Sequence, residues 1–523
     1  MSRSRYVVLI SGILFAAVFT VAESQAATCQ SLSTLKLADT VITIAQPIAA
    51  GEFTPARNGS KPVPVAFCRV AGKIKPTSDS DIGFELWLPA SGWTGRYESV
   101  GNGGFAGSIR YDSMLNPLLA GTAVASTDDG HSGGGSAWAL GHPEKIIDYG
   151  YRAVHLTAEI AKAITTAFYE TTPHHSYFVG CSKGGQEALM EAQRYPGDFD
   201  GILGAANANQ WTALFSSFAW NQKLNQAEKA GYISPAELEK IGAATLAACD
   251  ASDGVKDGLV SDPLRCSVSS AALSLSAAQT KTFEAIHSGP KNSSGKTIHS
   301  GQPFGLEHIS WRNSITGPSF EEASARSSQT MYANGFFANF VYGDPNWTFR
   351  QFDVNKSPAD AEKAVGHILN SDKLDFSEFK KRGGKLMQWH GWADSLVTPL
   401  GSIDYYKKVM AAQEVPSKTQ DFYRLFMAPG VDHCGGGPGP NQFDALGALE
   451  QWVEKGVAPD RITASHSTNG RVDRTRPLCL YPQVARYKGT GGSDDAANFT
   501  CVTEAPTAPV RRSTAGGPGG VKH

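Results

Sequence analysis

Tyr177-Phe178-Val179-Gly180-Cys181-Ser182-Lys183-Gly184-Gly185 is the stretch on which the fold turns. Its first four residues read as a short buried strand, and the chain from residue 185 to 195 reads as a helix. A Gly-x-Ser-x-Gly turn between strand and helix holds its serine in strained backbone that exposes Oγ. Gly180 and Gly184 remove the side chains that would collide across such a turn. Ser182 is therefore a candidate nucleophile, and the competing reading is an ordinary strand-to-helix turn with a capping serine.

On the N-terminal side the same alternation continues. Phe84-Glu-Leu-Trp-Leu-Pro89, Tyr97-Glu-Ser-Val100 and Thr122-Ala-Val-Ala-Ser-Thr127 read as strands, and residues 153–169 as a helix with apolar residues three and four apart. Gly201-Ile-Leu-Gly-Ala-Ala206 follows Ser182 as the next strand. Strands alternating with helices imply an α/β fold with a mainly parallel sheet. From residue 208 to about 375 strand signals fade, and they return at Lys385-Leu-Met-Gln-Trp-His390 and Tyr423-Arg-Leu-Phe-Met-Ala428. The expected organisation is a leader over residues 1–27, a core split into 28–207 and 379–505, a mostly helical insertion over 208–378 acting as a lid, and a disordered tail over 506–523. The insertion is rich in aromatics, among them Trp311, Tyr332, Phe336, Phe337, Phe340 and Trp347, which should mainly form its own core.

A serine nucleophile on such a scaffold needs an acid and then a histidine later in the chain. Asp394 lies just beyond the strand ending at His390, and His433 just beyond the strand ending at Ala428. His433 would take the Ser182 proton, with Asp394 fixing the imidazole tautomer. His390 and Asp432 are neighbours read as structural hydrogen-bonding groups. Cys181 precedes Ser182, and Cys434 follows His433. If serine and histidine approach within hydrogen-bond reach, these cysteines come near the roughly 4.4–6.8 Å Cα separation of a disulfide. The alternative is two free buried cysteines.

The eight cysteines are even in number and none forms a Cys-x-x-Cys pair, which favours disulfides over zinc. Close spacing suggests Cys249–Cys266 and Cys479–Cys501, and a Cys181–Cys434 bridge leaves Cys29 with Cys68. Residues 1–27 have the form of an export signal: Arg3 and Arg5, an apolar run over 6–21, then Ser24, Ala26 and Ala27. The run is short of the roughly 20 residues a membrane span needs, so a secreted or periplasmic protein is expected rather than an anchored one. With 41% apolar residues the 523-residue chain can bury a large core. A net charge of −2 without a basic run argues against nucleic-acid and membrane-surface partners. The glycine clusters at 101–104 and 133–135 lack the spacing of a dinucleotide or phosphate loop.

Gly180-Cys-Ser-Lys-Gly-Gly185, Trp392-Ala-Asp394 and Asp432-His-Cys-Gly-Gly-Gly437 together resemble the tannase/feruloyl esterase family, which also contains the hydrolase of mono(2-hydroxyethyl) terephthalate. The resemblance runs from Cys29 to the Arg476-Pro-Leu-Cys-Leu-Tyr-Pro482 segment. It implies an α/β-hydrolase core, a Ser182–Asp394–His433 triad and a Cys181–Cys434 bridge. It also implies an oxyanion hole from the backbone N–H groups of Lys183 and Gly104, of which the elbow geometry independently suggests Lys183. Asp250-Ala-Ser-Asp253-Gly-Val255-Lys-Asp257-Gly-Leu259 carries three carboxylates on a glycine-turned loop, a donor set suited to Ca²⁺, with the carbonyls of Val255 and Leu259 completing the shell. The family binds calcium through the matching positions, and the alternative is a solvated acidic turn.

The reading that follows is a serine carboxylic-ester hydrolase for small aromatic, polysaccharide-linked or polyphenol-linked esters, of feruloyl, galloyl or terephthalate type. A peptidase or acyltransferase on the same fold, or an inactive binding protein, are the alternatives. Arg326 is a candidate carboxylate clamp in the insertion, against a solvated surface arginine.

Overall fold

The computed structural model of the protein describes residues 28–55, 60–305, 307–322 and 327–504. The expected leader, the expected disordered tail and Arg326 lie outside these residues.

A nine-stranded sheet organises the molecule. Its strands are β1 (Thr40–Ile48), β2 (Phe67–Ile74), β3 (Ile82–Pro89), β4 (Arg96–Val100), β5 (Ala123–Thr127), β6 (His175–Cys181), β7 (Gly201–Ala205), β8 (Lys385–Gly391) and β9 (Tyr423–Ala428). They lie in the order β1-β2-β3-β5-β4-β6-β7-β8-β9. From β5 through β9 all neighbours pair in parallel, whereas β1, β2 and β3 join β5 as an antiparallel wing. The parallel strands are short apolar runs because helices cover both faces, and every residue of β5 and β7 is buried, as is every residue of the antiparallel β3. Helix Ala153–Tyr169 supplies one such cover, turning Val154, Ala158, Ala161 and Ile164 onto the sheet.

β1 and β2 lie outside the strands expected from the sequence, as do the antiparallel pairs β10 (Arg461–Thr468) with β11 (Arg471–Cys479) and β12 (Val484–Tyr487) with β13 (Phe499–Val502). Between β7 and β8 the described residues are helical, with no strand beyond an isolated bridge from Lys291 to Thr297. The expected boundary at 378/379 falls inside the short helix Ser377–Lys381, so this segment enters β8 through a helix. Most of its aromatics are buried as expected, and Trp311 packs with Phe283, Ile233 and Ile241 in a core made by the insertion alone. Phe336, Phe337, Phe340 and Trp347 share their cluster with Phe105, from the loop after β4, and Tyr149, from the helical turn Asp148–Arg152.

Four disulfides close, Cys29–Cys68, Cys181–Cys434, Cys249–Cys266 and Cys479–Cys501, with Cα separations of 5.6, 5.9, 5.4 and 5.6 Å. Cys181–Cys434 spans 253 residues, and the chain-entropy argument gives such a bridge about 5 kcal/mol. Among the described residues no helix is long and apolar enough to cross a membrane.

Strand order fixes where a site can form. The chain passes from β4 to β5 on one side and later returns to β6 on the other, so the loops leaving β4 and β6 diverge. In open α/β sheets such a switch point leaves a crevice at the carboxyl ends of the strands.

Candidate active site

Ser182 follows β6 and stands immediately before helix Lys183–Arg194. Its φ of 66° and ψ of −114° lie in a region that costs a non-glycine residue about 1–3 kcal/mol. Surrounding bonds hold it there: Ser182 N–H donates to Ala205 O at 2.9 Å, and its carbonyl accepts from Gln186 and Ala208 at 3.0 and 3.2 Å. A Cβ at Gly180 would stand 2.5 Å from Gly184 O, so residue 180 must be glycine for the turn to close.

Asp394 lies just beyond β8 and His433 just beyond β9. His433 Nδ1 donates to Asp394 Oδ2 at 2.6 Å. Asp394 Oδ1 accepts from the N–H groups of Leu396 and Val397 at 2.9 and 2.8 Å. Burial alone would raise the Asp394 carboxyl, but His433 and then His390 outweigh it and hold Asp394 well below the usual carboxylate range. For His433 burial works downward, and the Asp394 charge prevails to leave the imidazole above its ordinary value. With Nδ1 committed to Asp394, the neutral ring presents its second nitrogen as an acceptor.

Ser182, His433, Gly104 and Tyr332 line one cavity of about 490 Å³. Ser182 and His433 share this cavity without a hydrogen bond between their side chains, and such contacts commonly tighten only around substrate. A second, small apolar recess that also borders Ser182 is walled by Trp211, Phe215 and Phe218.

The two neighbours of the expected acid and base have structural partners. His390 Nε2 donates to Asp394 Oδ2 at 3.1 Å and to Val397 O at 2.9 Å, and Asp432 accepts from the His433 N–H at 2.7 Å. Behind His390, Ser402 Oγ donates to His390 Nδ1 at 2.8 Å and accepts from Gln388 Nε2 at 2.7 Å, and Tyr423 donates to Gln388.

The glycine loop after β4 is held from beneath by residues that sequence reasoning missed. Tyr149 Oη donates to Gly104 O at 2.7 Å, and Glu187 Oε2 accepts from Asn102 N–H at 2.9 Å. Lys183 turns its ammonium inward to Glu187 at 2.7 Å and toward Asp129 at 3.7 Å, with all three side chains fully buried. Burial and then the neighbouring Glu187 push the Asp129 carboxyl well above its ordinary value. As the first helical residue, Lys183 has a backbone N–H without an intrahelical acceptor. Gly104 has φ 58°, and a Cβ there would press within 2.6 Å of Tyr332 Oη. Nothing local in the sequence marks Tyr149, Tyr332 or Glu187 as part of this arrangement.

The expected cation loop bends at Gly254 and Gly258, with φ of 98° and 80°. Asp250 Oδ1 accepts from Asp257 and Gly258 N–H, at 3.0 and 3.2 Å. Asp253 accepts from Val255 N–H at 3.0 Å and Ser261 Oγ at 2.7 Å. Asp257 accepts from Leu259 N–H at 3.2 Å, pairs with Arg476 and lies 3.9 Å from Arg474. Its donors are all oxygen, which fits a hard cation. In the present arrangement the arginines supply the positive charge, and among the described residues no three His, Cys, Asp or Glu side chains converge as a metal cluster.

The family model for tannase and feruloyl esterase matches residues 68–502. An uncharacterized esterase of Xanthomonas campestris is 39% identical, over 92% of each chain. A probable feruloyl esterase of Arthroderma benhamiae is 32% identical, over 89% of this chain and 90% of its own. Among solved structures, feruloyl esterase B from Aspergillus oryzae superposes with a TM-score of 0.83 at 28% identity, covering 91% of this chain and 99% of its own.

Proposed function

Because this chain belongs to the tannase and feruloyl esterase family and is a carboxylic-ester hydrolase of α/β-hydrolase fold, we propose that Ser182, Asp394 and His433 carry its reaction through an acyl-enzyme on aromatic esters. The observation that supports this most is the 2.6 Å His433–Asp394 contact at the wall of the cavity that also holds the strained Ser182. Ser182 Oγ attacks the ester carbonyl as His433 accepts its proton. The tetrahedral oxyanion is met by the N–H groups of Lys183 and Gly104. His433 then returns the proton to the departing alkoxide, and a water activated by the same imidazole releases the acid. The segment between β7 and β8 acts as a lid, placing Tyr332 and the Trp211–Phe215–Phe218 wall around the ester.

Aromatic lining supports a flat acyl or alcohol moiety, of hydroxycinnamoyl, galloyl or terephthaloyl type. The disulfides support an oxidising destination, in keeping with export through residues 1–27. A fluorophosphonate probe should label Ser182 stoichiometrically. A panel of methyl ferulate, methyl gallate, a terephthalate monoester and p-nitrophenyl acetate should show turnover, with a matched p-nitroanilide left intact. Labelling elsewhere, or preference for the anilide, would retire the esterase mechanism.

We propose further that Ca²⁺ binds the loop of Asp250, Asp253 and Asp257, with the carbonyls of Val255 and Leu259, as a structural ion. The all-oxygen donor set and the closing Cys249–Cys266 bridge support it. Asp257 would have to leave Arg476 for the cation. At a hundredfold excess over Kd a bound ion contributes about 2.7 kcal/mol, so excess EGTA should lower the melting temperature by about 3 °C or more. An unmoved transition would show that the arginines alone hold this loop.

A further inference from the structure

The cavity at Ser182 does not stop beside the nucleophile. Val100, Val179, Leu203 and Trp389, from β4, β6, β7 and β8, line its continuation. Glu98 lies two residues before Val100 on β4, hence on the same face, and it lines this cavity too. Its residue exposure is only 5%, and only burial and the Glu450 charge act on its carboxyl, with no hydrogen bond or cation among the described residues.

Both oxygens of the buried Asp129 and Glu191 also lack a hydrogen-bond partner, but neither residue lines this cavity; the other buried carboxylates nearby are satisfied. Glu85 accepts from Arg69, Trp87 and Tyr111, and Glu187 is bound by Lys183 and the Asn102 N–H. A buried carboxyl without a partner costs free energy, so Glu98 stabilises nothing visible in the fold. The polar atoms it turns to the cavity are instead available to whatever fills it.

The length of the cavity narrows the occupant. Glu98 pairs in register with Tyr177, five residues before Ser182 along β6. At 3.3 Å per residue this is about 16 Å of strand. Glu98 and Ser182 line the same cavity, so a ligand lying along it can meet both side chains. An arylpropenoyl group, whose ring stands two carbons beyond the ester carbonyl, bridges more of that length than a benzoyl group does. Val100, Val179, Leu203 and Trp389 are apolar walls suited to its ring and double bond.

We propose that Glu98 is a specificity-determining residue that takes the ring hydroxyl of a 4-hydroxylated arylpropenoyl ester, at the far end of the cavity that opens on Ser182. This rests on Ser182 being the nucleophile. Burial, and then the Glu450 carboxylate, push the Glu98 carboxyl up to about 8. At neutral pH it is a carboxylic acid, able to donate and to accept, which matches a phenolic hydroxyl.

The test compares methyl p-coumarate with methyl cinnamate, which lacks the hydroxyl, in wild type, Glu98→Leu and Glu98→Gln. Melting temperature and fluorophosphonate titration give the folded, active fraction of each protein. Wild type should favour the coumarate by about tenfold in kcat/KM, the worth of one net hydrogen bond. Glu98→Leu should bring that ratio close to one, chiefly through KM for the coumarate, while Glu98→Gln retains most of it. A ratio in Glu98→Leu equal to that of wild type overturns the assignment, as does an equal loss on both esters. Wild type that turns over p-nitrophenyl acetate but neither cinnamate ester overturns the Glu98 assignment alone. Wild type inert toward all three overturns the esterase mechanism, and this assignment with it.

Discussion

Replacing Ser182 by alanine is expected to lower kcat on methyl ferulate by about 10⁵-fold, because nucleophile, base and acid act as one unit and no second group can form the acyl bond. Alanine keeps the size that the turn accommodates, and the backbone bonds of residue 182 to Ala205, Gln186 and Ala208 involve no side chain. Folding should therefore survive, and melting temperature serves as the control. Residual turnover should come from the N–H groups of Lys183 and Gly104 acting on a bound ester with water as nucleophile. Steady-state rates with active-site titration settle the matter. A loss smaller than about a hundredfold would mean that Ser182 is not the nucleophile.

Asp394→Asn should cost about 10⁴-fold in kcat, from the wrong imidazole tautomer and the missing counter-charge. All four of its contacts come from donors: Leu396 and Val397 N–H on one oxygen, His433 and His390 on the other. An amide has one oxygen for these two pairs. Whichever way it turns, its NH₂ meets donors, and if it faces His433 the imidazole must rotate its proton away from the productive nitrogen. The charge change also has a signed consequence for pH. His433 works as a neutral base, so kcat/KM rises as pH passes upward through its pKa. In wild type the Asp394 charge holds that pKa above the ordinary histidine value. Without it, burial dominates, and the acid limb of the profile should move to lower pH in Asp394→Asn. A limb that stays put would assign the counter-charge to another carboxylate, Asp432 being the adjacent one.

The centre of the site was legible because each of its groups sits at the end of a buried strand. Apolar runs such as those ending at Cys181, His390 and Ala428 are visible in sequence, and the residue following such a run is at the crevice edge by construction. Cys181 and Cys434 added a distance restraint of the kind single residues cannot supply. The antiparallel wing was harder. β1 is half exposed, with Pro47 inside it and a register shift between Ile42 and Ile44, so its alternation is blurred. Support beneath the glycine loop was invisible for another reason. Tyr149 meets Gly104 across 45 residues and Glu187 meets Asn102 across 85, pairings that no local period encodes. Gly104 itself came from resemblance to a family, and its positive φ explains why a glycine stands there. Glu98 read as one polar residue in an ordinary strand; its place on the cavity wall, with no partner there, singles it out.

The bond between Cys181 and Cys434 also has a topological meaning. It converts everything from β6 to the loop after β9 into a closed loop of covalent chain, with the whole helical segment threaded on it as an internal excursion. A protease that cuts an exposed turn in that excursion severs the backbone but not the molecule, since both pieces still meet one peptide unit from Ser182 and from His433. Damage to the roof is thus uncoupled from loss of the floor.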